Sequence, residues 1–152
     1  MVRMKDTLLI LKRMIAEQQV LPKQLLSAYD WDDLLNARDG DEVFEAHWLR
    51  AHAEIDSRVS NVKVEDELHQ VAEDIRRESF LAVSRATGQH ELASYVSDDF
   101  GLITGAVIAD YEDPWLNGLW MAYKNRGVPI PPIAEHPGKL SELISEDDSG
   151  RN

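Results

Sequence analysis

The chain has 152 residues, 28 acidic against 16 basic, and a formal net charge of −12 with histidine neutral. Such a surface repels nucleic acid and anionic lipid, and the absence of cysteine excludes a disulfide framework, a zinc ribbon and a thiol nucleophile. At this length one domain is expected, able to bury about 68–70% of its unfolded surface.

In chain order, Met4, Leu8, Leu11 and Ile15 recur at helical spacing and predict an amphipathic helix ending before Leu21-Pro22, because proline disfavours helical geometry in its predecessor. The apolar run Leu8 to Leu11 is followed at once by Lys12 and Arg13, too short for a signal sequence or a membrane span, so the cytoplasm is the expected location. A short piece runs through Gln24 and Leu26. Asp30 then caps a short helix carrying Trp31, Leu34 and Leu35, closed by the Asp39-Gly40-Asp41 turn.

A longer helix follows on the stripe Phe44, Trp48, Ala51, Ile55 and Val59, with a break at Ser60-Asn61. The next, from about Val64 to Thr87, uses Leu68, Val71, Ala72, Ile75, Ala82, Val83 and Ala86 and stops at Gly88. Leu92, Val96, Phe100, Ile103 and Val107 form a further stripe; alternatively Ser97 restarts this helix as an N-cap, with Asp98 and Asp99 in the first turn. Asp113-Pro114 has the form of an N-cap followed by proline at the first helical position, ahead of the apolar face Leu116, Leu119, Trp120 and Tyr123 and a C′ residue at Gly127.

Beyond Gly127 the periodicity fails. Pro129, Pro131, Pro132 and Pro137 impose an extended passage, expected to lie across an apolar groove of its own domain, and the tail offers only Leu140, Leu143 and Ile144 before a polar end. The expected fold is all-α: a single domain of five or six unequal, irregularly packed helices over residues 1–127, then a proline-rich passage and polar tail over 128–152.

Catalytic templates are missing: there is no G-x-S-x-G elbow, Walker loop, G-x-G-x-x-G or H-E-x-x-H helix. His47 and His52 stand roughly 140° apart around a helix and cannot share an ion. Glu65, His69 and Glu73 line one face, but no second carboxylate-x-x-His exists to complete a di-iron site, and a solvated face explains them. Asp98 and Asp99 point ~100° apart, which favours first-turn or surface roles over acid–base work. Gly101 and Gly105 predict close helix packing. Neither a catalytic group, a cofactor nor a metal site is expected.

Charge is uneven along the chain. Residues 1–26 carry five basic and two acidic residues, whereas residues 27–60 carry three basic and nine acidic. Asp30, Asp32, Asp33, Asp41, Glu42 and Glu45 are therefore candidates for steering a basic protein partner. Tyr111, Glu112, Asp113 and Trp115 form a second candidate group, in which a half-exposed Trp115 within an acidic rim has the composition of a binding hot spot.

The blocks Glu73 to Phe80 (EDIRRESF), Glu91 to Phe100 (ELASYVSDDF) and Asp113 to Asn117 (DPWLN) resemble small helical immunity proteins encoded beside bacterial polymorphic toxins, over about residues 65–127. The resemblance implies a cytoplasmic, non-enzymatic protein that binds a cognate toxin and occludes its active site; it carries no defined functional residues across. Two other readings stay open: a small metal-dependent hydrolase built on Glu65, His69 and Glu73 or on Asp98 and Asp99, and a helical adaptor whose tail docks elsewhere.

Overall fold

The structure, a computed structural model, describes residues 3–28, 30–61 and 63–149. Among these the chain forms eight helices and no strand: α1 (Met4–Ala16), α2 (Lys23–Leu26), α3 (Trp31–Asp39), α4 (Glu42–Ser60), α5 (Asp66–Thr87), α6 (His90–Ala109), α7 (Pro114–Asn125) and α8 (Leu140–Ser149). The all-α class agrees with the sequence reading, and the expected five or six helices become eight. The excess comes from the four-residue α2 and from α8, where Leu140, Leu143 and Ile144 at i, i+3, i+4 supply a stripe that is buried.

Helix α6 is the centre. Twelve of its twenty residues are buried, and it packs against α1, α4, α5 and α8. It is long and apolar enough to cross a membrane, but within this fold those apolar faces are covered by the surrounding helices. The expected stripe Leu92, Val96, Phe100, Ile103 and Val107 is buried throughout, each large side chain worth about 1.5–3 kcal/mol of transfer free energy. The helix is continuous, so the Ser97 restart does not occur; the Ser97 hydroxyl instead donates to the Arg76 carbonyl of α5 at 3.2 Å.

Local signals set most boundaries. Asp30 accepts from Asp33 N, Asp41 from Phe44 N and Asp113 from Trp115 N, capping α3, α4 and α7. Gly88 ends α5 with left-handed backbone (φ 69), and Gly127 follows α7 at φ 121. Helix α1 stops at Ala16, earlier than Leu21-Pro22 required, because Gln18 (φ 59) and Leu21 (φ 61) both leave the right-handed region.

Two glycines are required by close approach. A Cβ on Gly105 of α6 would lie 2.8 Å from Ile55 Cγ2 of α4, and one on Gly118 of α7 would lie 2.1 Å from the Ala134 carbonyl oxygen. The second contact seats the proline passage on α7, where the Asn117 amide donates to the carbonyls of His136 (3.1 Å) and Gly138 (2.8 Å) and His136 N donates to the Pro114 carbonyl. The passage thus lies on its own helical body, and α8 continues onto α1 and α6.

Candidate functional site

The first group of candidate acids sits at two successive helix starts. Asp32 and Asp33 occupy the first turn of α3 behind the capping Asp30, and Glu42 and Glu45 the first turn of α4 behind Asp41. Placement there is favoured locally, since carboxylates meet the positive end of the helix dipole. All but the half-buried Asp41 are exposed, so the same residues project negative charge into solvent.

The second group is placed differently from the expectation. Trp115 is only 2% exposed, lying edge-on to Phe44 and stacked on His47, both with ring centroids 5.4 Å away. Once Asp113 caps α7, the first helical turn carries the indole under α4 and into the core. Asp113 is buried as well, receiving Arg50 at 2.7 Å and the Tyr111 hydroxyl at 3.3 Å. The half-exposed tryptophan is therefore corrected to a core residue. Of this group only Glu112 is exposed, and its carboxylate accepts from Leu140 N at 3.4 Å.

Between the α3–α4 acids and the core lies a buried polar cluster that sequence reasoning missed. Asp99, with no exposed surface, receives four donors: Arg38 Nη1 and Tyr123 OH on Oδ2 (2.8 and 2.5 Å), Arg38 Nη2 and Trp48 Nε1 on Oδ1 (2.8 and 3.0 Å). The expected first-turn or surface role of Asp99 is thus corrected, while Asp98 is exposed and paired with Arg76 at 3.1 Å. Burial opposes the Arg38 charge, but the adjacent Asp99 carboxylate outweighs it and holds the guanidinium protonated. Burial, reinforced by the Asp99 charge, pushes the Tyr123 phenol well above its usual range. An Asp99 carboxylate with both oxygens occupied has no free lone pair positioned for acid–base work.

Above this cluster opens a cleft of about 260 Å³, with walls from Arg38 and Asp39 of α3, Phe44, Glu45, Trp48 and Leu49 of α4, and Tyr95, Asp98 and Asp99 of α6. The Arg38 guanidinium carbon stands 4.6 Å from the Phe44 ring centroid and 5.5 Å from that of Tyr95. Tyr95 donates its hydroxyl to Asp39, and that bond together with burial pushes the phenol up to about 12. Trp48, expected in the core, is half-buried and shows one face to His52, which stacks on it at 5.4 Å.

The alternative catalytic residues do not converge. Glu65, His69 and Glu73 are exposed, and no group of three or more His, Asp or Glu side chains is placed to hold a metal ion among the described residues.

A family model described as Immunity protein PIM1 matches residues 10–130. No curated protein and no solved structure matches the chain significantly.

Proposed function

The chain belongs to the Immunity protein PIM1 family, and on that premise we propose that it neutralises a cognate bacterial toxin in the cytoplasm by binding it and covering its active site. The family match over residues 10–130 is the observation that carries this reading. It extends into the N-terminal third of the chain, and so takes in α3 and α4 with their acids.

The mechanism is capture rather than chemistry. The exposed Asp30, Asp32, Asp33, Glu42 and Glu45, carried by adjacent helix starts, set up a negative field that draws a basic face of the toxin toward α3 and α4. The packing of α4 against α6 behind them favours a preformed surface, which would limit the ordering needed on binding. Trp115 and Asp113 act from beneath, holding α7 against α4, and do not touch the partner.

Protection in cells tests the reading. Bacteria expressing a candidate toxin domain from a neighbouring gene should grow when this chain is co-expressed and die when it is not. Death in both cases, with both proteins present at comparable levels, would count against an immunity role.

A further inference from the structure

We infer that the cleft between α3, α4 and α6 is an anchoring socket for one arginine side chain of the bound partner. The inference rests on the toxin-binding reading and names where, and through which chemistry, the partner is held.

The cleft is small. Small-molecule sites run to about 300–1,000 Å³, and at about 260 Å³ the cleft falls short of that while accommodating a single long side chain.

Charge selects a cation. The lining carries one positive side chain and four negative ones, a net of −3. Asp99 is neutralised by Arg38, and Asp98 is met by Arg76. Asp39 and Glu45 have no cationic partner among the described residues: Asp39 accepts only the neutral Tyr95 hydroxyl, and Glu45 is exposed. An incoming positive charge therefore finds two carboxylates whose charge is uncompensated.

The walls favour arginine over lysine. Leu49 is 55% exposed at the rim and Trp48 is half-buried, surfaces that cover an aliphatic stem. Aromatic faces hold a planar, weakly hydrated guanidinium better than a compact ammonium. The cleft already packs one such group, since Arg38 stacks on Phe44 and faces Tyr95.

The test is an NMR titration of the isotope-labelled full chain with N-acetylarginine amide, using N-acetylcitrulline amide as the neutral isostere. Saturable shifts should centre on the Trp48 indole N–H and the Leu49 and Tyr95 amides with the arginine probe and be absent with citrulline. Glu45→Gln, an exposed change that leaves the core intact, should weaken the arginine response about two- to fivefold. No saturable shift in the cleft, an equal response to citrulline, or shifts centred on Asp30, Asp32 and Asp33 would overturn the socket. The titration requires no toxin. Its failure beside a stable toxin complex would remove the socket alone, and its success without any toxin complex would remove the immunity reading alone.

Discussion

Asp99 of α6 holds Arg38 of α3 through two parallel hydrogen bonds of 2.8 Å, across 61 positions of sequence. Trp48 of α4 and Tyr123 of α7 complete the carboxylate, so one buried aspartate ties four helices together. A buried ion pair is costly to desolvate, and it holds only because every lone pair on the carboxylate side finds a donor.

Breaking the pair from one side should therefore be severe. Asp99→Ala leaves Arg38 charged and buried without a counter-ion, and a loss of about 3–5 kcal/mol is expected from urea unfolding. The double change Arg38→Met with Asp99→Leu removes both charges and should cost less than Asp99→Ala alone. A single variant within about 1 kcal/mol of the parent would contradict this role.

The tyrosines connect the same cluster to pH. Tyr95, held up to about 12 by Asp39, and Tyr123, held well above 10.0 by burial, keep their protons in the folded protein to higher pH than in the unfolded chain. Stability should be insensitive to these groups below about pH 10 and fall as pH rises from there through 12, because the folded state then binds more protons than the unfolded one. Spectrophotometric titration should show Tyr95 and Tyr123 ionising late or only on unfolding. Ionisation of every tyrosine in one step at the ordinary value, with the fold intact, would be inconsistent.

The passage after α7 should stabilise the fold. Gly118→Ala places a methyl group 2.1 Å from the Ala134 carbonyl, forcing the passage off α7 at an expected cost of about 1–3 kcal/mol. Truncation after Gly127 removes Leu140, Leu143 and Ile144, all buried, and should lower the melting temperature further. Unchanged melting in both variants would show that residues 128–149 contribute nothing.

Much of this fold was legible in local spacing. Leu92 through Val107 announced α6, and Asp30, Asp113, Gly88 and Gly127 marked ends that the structure places where capping chemistry puts them. Asp99 was not legible, because its meaning depends on Arg38, and no pattern within one helix reveals a partner 61 residues away. Trp115 misled for the opposite reason. Its acidic neighbours in sequence suggested a rim, whereas Phe44 and His47 of α4 enclose it in space.

Electrostatic capture makes a kinetic claim. Association between this protein and its proposed toxin partner should slow markedly from low to high ionic strength, and charge reversal at Asp32 and Asp33 should lower the association rate more than it raises dissociation. Stopped-flow association rates that ignore salt would remove steering from the mechanism while leaving binding untouched.

The most direct test of the proposed toxin neutralisation is size exclusion with mass determination on the purified protein mixed with an inactive variant of a candidate toxin domain encoded near its gene. A stable complex of defined stoichiometry, weakened by Glu45→Lys and unaffected by Glu135→Lys at an exposed position of the passage on α7, is the expected result. Two separate peaks at micromolar concentration, with both proteins folded, would contradict it.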